Sequence, residues 1–86
     1  MELKEQFEQA VAQSKLLTTR PSNETLLQLY ALYKQATEGD NVQEAPSNPF
    51  DFVAKAKHDA WSSLHGKQSS DCMQEYITLI ETLQKG

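Results

Sequence analysis

Two tyrosines and a lysine have the types and the spacing of a ligand-binding surface. Tyr30, Tyr33 and Lys34 stand at positions i, i+3 and i+4, so on a helix they share one face. Aromatic rings beside an ammonium group suit a flat heterocycle that carries negative charge, as in a nucleotide. On spacing alone, core packing of the rings and a solvated lysine is the simpler alternative. Both interpretations are open at this point.

Four segments with helical periodicity must position this face. The apolar stripe of the first segment consists of Leu3, Phe7, Ala10 and Val11. The first helix ends before Pro21, because the residue that precedes a proline avoids the α region. The second segment contains Tyr30; we expect the Ser22 hydroxyl to cap its first turn and Gly39 to end it.

The third and fourth segments follow in the second half of the chain. Asn48 followed by Pro49 predicts an N-cap and a first helical residue, with Asp51 in the first turn and Gly66 at the end. The fourth helix is expected to start near Ser69 and to run to the end of the chain.

The fold class follows from these segments. No stretch of useful length shows the alternation of a β-strand, and residues 39–50 contain two of the three prolines with little periodicity. A loop of this length suggests a crossover or a functional role. We therefore predict one all-α domain over residues 1–86, a four-helix bundle with one long loop between helices 2 and 3.

Composition narrows the classes of function. The 86 residues carry a formal net charge of −4, which disfavours nucleic-acid binding, although a small anionic ligand needs only a few local cations. The first residues alternate charged and apolar types, unlike a signal peptide, and no run approaches the length of a membrane span. The single cysteine cannot form an internal disulfide, so we expect a reducing, cytoplasmic setting.

Other chemistries receive weaker support. His58 and His65 are seven residues apart and would share a helix face, but two histidines without a third ligand rarely bind a metal. Cys72 stands between apolar helix positions and has no evident base, so a buried structural thiol is favoured over a nucleophile. From these residues we predict no metal site and no cofactor.

Three motifs occur in order along the chain. The first is YxxYKQATxGD from Tyr30 to Asp40, the second is FxxKAKxDAW from Phe52 to Trp61, and the third is Tyr76 in the last helix. Further matches in the first part of the chain are Phe7, Ala10, Lys15 and Pro21. Together these residues resemble the acyl-CoA-binding protein family over nearly the whole chain.

The resemblance implies a fold, a ligand and a set of contacts. The fold would be an up-down-down-up four-helix bundle, and the protein would be a monomeric cytosolic carrier of long-chain acyl-CoA thioesters without catalytic activity. It would meet membranes or acyl-CoA-using enzymes only transiently. In the family, the matching tyrosines and lysines hold the adenosine and its 3′-phosphate. Carried across, the ligand contacts are Lys15, Tyr30, Tyr33, Lys34, Lys57 and Tyr76.

The chain departs from the family pattern at two positions and in the long loop. Val53 stands where many members have a lysine, and His58 stands where an aromatic residue is common. The loop is one residue longer than usual. These changes bear on affinity and chain-length preference more than on the class of ligand.

The acyl tail requires an apolar groove and the acidic head requires cations. The candidates for the groove, each of which a plain core would equally use, are Phe7, Val11, Leu26, Leu27, Leu29 and Val53. Lys15, Lys34, Lys55 and Lys57 are expected to gather near one rim. Lys55 and Lys57 differ in direction by about 200° on a helix, so only one faces the ligand, and we prefer Lys57.

Two rival functions stay open. A protein-interaction domain could keep the same helical scaffold, and Val53, His58 and the longer loop are the features that allow it. A thioesterase that uses His58 or His65 is a more distant alternative.

Overall fold

The computed structural model describes residues 2–85, and Met1 and Gly86 lie outside the described range. It contains four α-helices, which are α1 (Leu3–Ser14), α2 (Asn23–Glu38), α3 (Phe52–Ser62) and α4 (Ser69–Lys85). Residues 2–85 include no β-strand. None of the helices in this range is long and apolar enough to cross a membrane. The predicted all-α class and the long loop between the second and third helices are confirmed.

Local signals fix both ends of α2 as predicted. The Ser22 hydroxyl accepts a hydrogen bond from the backbone N–H of Thr25 at 3.2 Å and caps the first turn. Gly39 follows the last helical residue with a φ of +80°, a conformation that residues with a Cβ atom rarely adopt. The helix that carries Tyr30 therefore ends abruptly, and the chain turns away from it.

The start of α3 differs from the prediction by three residues. Asn48 does not cap the helix; its side chain accepts from the N–H of Phe50 at 3.0 Å and builds a turn in front of it. The Asp51 carboxylate accepts from the N–H of Ala54 at 3.0 Å and is the actual N-cap. Asn and Asp side chains can both accept hydrogen bonds from nearby backbone N–H groups, in turns as well as at helix N-caps. Here Asn48 forms the turn and Asp51 forms the cap.

Contacts between side chains show how α1 and α4 run relative to each other. The rings of Phe7 in α1 and Tyr76 in α4 pack edge to face with centroids 5.1 Å apart. Further along both helices, the amide of Gln84 donates to the side chain of Gln13 at 3.2 Å. Because both contacts advance together along the chain, α1 and α4 run parallel.

The same reasoning orients the inner pair. Leu26 and Val53 line one groove near the starts of α2 and α3, and the Lys57 ammonium reaches the Tyr30 ring one turn later. The two helices therefore run parallel. The Gln35 amide, near the end of α2, donates to the Lys67 carbonyl just before α4, so α2 and α4 are antiparallel. The resulting order is up-down-down-up.

One hydrophobic core joins α1, α2 and α4. Its buried residues are Phe7, Ala10, Leu29, Leu32, Ala36, Cys72, Tyr76, Ile77 and Ile80. Full burial of a large apolar side chain contributes about 1.5–3 kcal/mol, so burial of this cluster stabilises the packing of the three helices. Leu29 belongs to the core and not to a groove, and Cys72 is the buried structural thiol that was predicted.

A group of hydrogen bonds ties the end of α2 to α3 and to the α3–α4 connection. The Trp61 indole, which is buried at 3% exposure, donates to the Gly39 carbonyl at 2.8 Å. The Asp40 carboxylate accepts from the N–H of Gly66 at 2.7 Å and from the Gln35 amide at 2.8 Å. These bonds hold the Tyr30-bearing helix in a fixed relation to α3.

The long loop is also attached to α3. The amide of Asn41 donates to the Ser62 hydroxyl at 3.0 Å, and the Nε2 atom of His58 lies 3.1 Å from the Gln43 carbonyl oxygen. His58 thus contacts the loop from the position where the family commonly has a larger aromatic residue. These two polar contacts attach the loop to α3.

Candidate functional site

Two ammonium groups approach the ring of Tyr30. The Nζ atom of Lys57 in α3 lies 5.3 Å from the ring centroid, and that of Lys34 in α2 lies 6.0 Å from it. A cation within about 6 Å of an aromatic ring is attracted to it. Two cations at one ring also repel each other, so the arrangement favours a bound anion. Three of the predicted site residues therefore meet in space.

The position of Lys34 depends on a second aromatic ring. Its Nζ atom lies 5.5 Å from the centroid of Trp61, which is itself held by the hydrogen bond to the Gly39 carbonyl. The parallel packing of α2 and α3 brings this ring beneath the lysine. The hydrogen bond from Trp61 to the end of α2 thus fixes the ring that Lys34 contacts.

Lys34 is also engaged by an acidic side chain. Its Nζ atom donates to Oε2 of Glu38, one turn later in the same helix, at 2.7 Å. This hydrogen bond raises the pKa of Lys34 above its usual value, which keeps the ammonium charged. Within residues 2–85, Lys57 forms no ion pair of this kind, so it is the less neutralised of the two cations.

An apolar groove opens beside the Tyr30 ring between α2 and α3. This α2–α3 groove has a volume of about 640 Å³ and is lined by Arg20, Asn23, Leu26, Leu27, Tyr30, Phe52, Val53, Ala56 and Lys57. Phe52 is 72% exposed and Val53 is 65% exposed at its edge. Apolar side chains this exposed beside a groove indicate a surface that an apolar ligand could cover.

A second groove lies on the other side of α2. This α1–α2 groove has a volume of about 710 Å³ and is lined by Lys4, Phe7, Glu8, Val11, Ala12, Lys15, Tyr33, Ala36, Thr37 and Met73. Tyr33, 40% exposed, stacks on the Phe7 ring with centroids 6.0 Å apart. Lys15, the residue that caps the end of α1, supplies a cation to the same groove.

Tyr76 occupies a different environment from the other predicted contacts. Its side chain is 4% exposed and packs into the core against Phe7. Phe7 in turn stacks on Tyr33, so Tyr76 supports the wall of the α1–α2 groove. The structure therefore connects Tyr76 to the site mainly through packing.

The four predicted cations differ in the part of the surface that each contacts. Lys34 and Lys57 meet at Tyr30, whereas Lys15 lies in the α1–α2 groove and Lys55 is exposed and lines neither groove. The gathering of all four lysines at a single rim stays a prediction. The preference for Lys57 over Lys55, drawn from helix geometry, agrees with their placement.

Sequence reasoning missed three residues that the structure brings to this region. Arg20 and Phe52 line the α2–α3 groove, and Glu38 pairs with Lys34. The i, i+4 spacing of Lys34 and Glu38 was a visible signal. Arg20 gave none, because it lies in a connection whose path depends on the packed fold.

The alternative chemistries find little geometric support. Within the part of the chain that the structure describes, no group of three or more His, Cys, Asp or Glu side chains is arranged to hold a metal. The prediction that His58 and His65 share a helix face is wrong, because α3 ends at Ser62 and His65 lies beyond it near Asp40. Burial raises the pKa of the Cys72 thiol, which disfavours a nucleophilic thiolate.

Comparison with known proteins identifies one family. A family model for acyl CoA binding protein matches residues 4–80. The chain is 49% identical over 79 residues to an acyl-CoA-binding protein homolog of Drosophila melanogaster, covering 92% of this chain and 91% of the relative. It is also 49% identical over 77 residues to enoyl-CoA delta isomerase 2 of Rattus norvegicus, covering 90% of this chain but 19% of that longer protein.

The fold is similar to that of a solved relative. The crystal structure of Oryza sativa acyl-CoA-binding protein 2 superposes with a TM-score of 0.91 at 38% sequence identity, covering 98% of this chain and 92% of the other. The family model, the sequence identity and the similarity of fold all indicate the same family. The chain belongs to the acyl-CoA-binding protein family.

Proposed function

We propose that the protein binds long-chain acyl-CoA thioesters and carries them to enzymes or membranes without catalysing a reaction. The observation that carries this proposal is the Tyr30 ring, which has two ammonium groups beside it and an apolar groove adjoining it. An acyl-CoA has the matching polarity, with an aromatic, polyanionic head joined to an apolar tail. Family membership supports the same class of ligand.

The head of the ligand is proposed to bind at Tyr30. Adenine would stack on the ring while Lys34 and Lys57 hold the 3′-phosphate, each through a charge-assisted hydrogen bond of about 1.5–3 kcal/mol. Lys15 and Tyr33 would contact the rest of the head from the α1–α2 groove. For Tyr76, 4% exposed, we propose a narrow edge contact together with support of Phe7.

The acyl tail is proposed to lie along the α2–α3 groove. Leu26, Leu27 and Val53 supply apolar lining, and Phe52 widens it at the exposed edge. Burial of about 16 carbons at ~0.8 kcal/mol per CH₂ sets an upper limit near 13 kcal/mol. Ordering of the tail and loss of translational freedom offset a large part of this gain. Val53 in place of a lysine makes this lining more apolar.

The remaining features of the proposal concern the state of the protein. We propose that residues 1–86 act as one monomeric domain in the cytoplasm, with only transient contacts to membranes or acyl-CoA-using enzymes. A carrier role without catalysis is supported by the family and by the buried Cys72, whose raised pKa leaves the thiol protonated.

Isothermal titration calorimetry of the wild-type protein tests the proposal. Palmitoyl-CoA, free CoA and free palmitate are titrated separately. Only palmitoyl-CoA is expected to bind tightly, because each fragment lacks one of the two parts of the site. Added salt should weaken binding, since exposed charge interactions are screened.

Three outcomes would overturn the proposal. Failure of palmitoyl-CoA to bind at micromolar concentrations would favour a protein-interaction domain instead. Equal binding of palmitate would remove the role of the head. Release of free CoA during the titration would point to a thioesterase.

A further inference from the structure

The Lys34–Glu38 pair contains a negative charge at the place where the proposed site needs a positive one. The Lys34 ammonium donates to Glu38 at 2.7 Å, while it also lies 6.0 Å from the Tyr30 ring. The lysine and glutamate side chains are 28% and 47% exposed, so a ligand can reach both. A phosphate that binds Lys34 therefore either displaces this carboxylate or shares the ammonium with it and is repelled by its charge.

Helix stability does not account for a glutamate at this position. Glu38 is the last residue of α2, and an acidic side chain at a helix C-terminus interacts unfavourably with the helix dipole. In an i, i+4 pair, lysine before glutamate is also the weaker of the two orders. Exposed pairs of this kind contribute about 0.2–1 kcal/mol at most. The main physical consequence of Glu38 is thus that its carboxylate pairs with the Lys34 ammonium and reduces the positive potential there.

We infer that Glu38 is a specificity-determining residue that lowers the affinity of the site for the ligand phosphate by competing for Lys34. This inference rests on the proposed function. In the free protein the Glu38 carboxylate is hydrogen-bonded to the Lys34 ammonium. In the complex this carboxylate is displaced and lies beside a phosphate, which is also negatively charged. Both effects weaken phosphate binding and hasten release, which suits a carrier that must deliver its ligand.

Glu38 should affect the binding of two closely related ligands differently. Palmitoyl-CoA brings a 3′-phosphate to Lys34, whereas its 3′-dephospho form brings no charge to this position. Glu38 should therefore penalise the first ligand and leave the second almost unaffected. Glu38 therefore reduces the difference in affinity by which the protein prefers palmitoyl-CoA to its 3′-dephospho form.

Calorimetry of the variant Glu38→Gln with both ligands tests the inference. The amide is similar in shape but uncharged, so palmitoyl-CoA is expected to bind about two- to five-fold more tightly, which corresponds to an exposed ion pair. Binding of 3′-dephospho-palmitoyl-CoA should change less than the error of the measurement. The dependence of palmitoyl-CoA binding on salt should become steeper.

Glu81→Gln is the matched control. It makes the same change in net charge, and Glu81 lies on α4 in a groove formed by α1 and α4. If Glu81→Gln tightened binding equally, the effect would come from net charge and the inference would be overturned. Unchanged binding in Glu38→Gln, or equal tightening of both ligands, would also overturn it. Failure of the wild type to bind palmitoyl-CoA would instead refute the proposed function itself.

Discussion

Replacement of Lys57 by glutamine is expected to weaken the binding of palmitoyl-CoA about 5- to 30-fold. A charge-assisted hydrogen bond to phosphate contributes about 1.5–3 kcal/mol. In the free protein, the Lys57 ammonium already lies 5.3 Å from the Tyr30 ring centroid, a contact that contributes about 0.5–1 kcal/mol at an exposed site. The difference is about 1–2 kcal/mol, which converts to this loss of affinity at about 1.4 kcal/mol per tenfold change.

Lys55→Gln provides a control on the same helix. The two lysines differ in direction by about 200°, and Lys55 is exposed and lines neither groove. Both substitutions remove one positive charge. Calorimetry at low salt should therefore show a loss for Lys57→Gln and little change for Lys55→Gln, while thermal unfolding should show that both variants keep their fold.

Two results would refute this reasoning. Wild-type affinity in Lys57→Gln would mean that the ligand phosphate does not contact this lysine. Equal losses in both variants would mean that binding responds to net charge and not to the geometry at the Tyr30 ring.

Three further predictions concern the fold. The hydrogen bond from the N–H of Gly66 lowers the pKa of Asp40 in the folded protein. The ionised Asp40 carboxylate therefore stabilises the fold above its pKa in the unfolded chain, and this stabilisation is lost as pH falls through its pKa in the folded protein. Asp40→Asn should lower Tm at pH 7 and make the decline of Tm below about pH 4 less steep. Gly39→Ala should lower the free energy of unfolding by about 1–3 kcal/mol through backbone strain alone, measured by urea denaturation, because its φ is +80° and no atom crowds a Cβ there. Buried Cys72 should react with a thiol reagent only at the rate of unfolding, and fast labelling of the native protein would contradict its burial.

The sequence predicted the fold where local chemistry decides it. Ser22 and Gly39 bound α2 as expected, since each acts on its own backbone neighbours. The predicted cap of α3 was wrong, because Asn48 and Asp51 are both good caps and only the folded chain selects between them.

The candidate site was predictable only in part. The spacing of Tyr30 and Lys34 placed both on one face, and the resemblance added Lys57 from another helix. The role of Arg20 in the groove, and the contact of His58 with Gln43, join residues far apart in the chain. Such contacts depend on helix packing, which single-sequence periodicity does not specify.

The most direct test of the central claim is an NMR titration of the wild-type protein with palmitoyl-CoA, followed through its backbone amide signals. The largest changes are expected beside the Tyr30 ring and along the α2–α3 groove, at residues such as Tyr30, Lys57 and Val53. Largest changes between α1 and α4, around Gln9 and Glu81, or no changes at all, would contradict it.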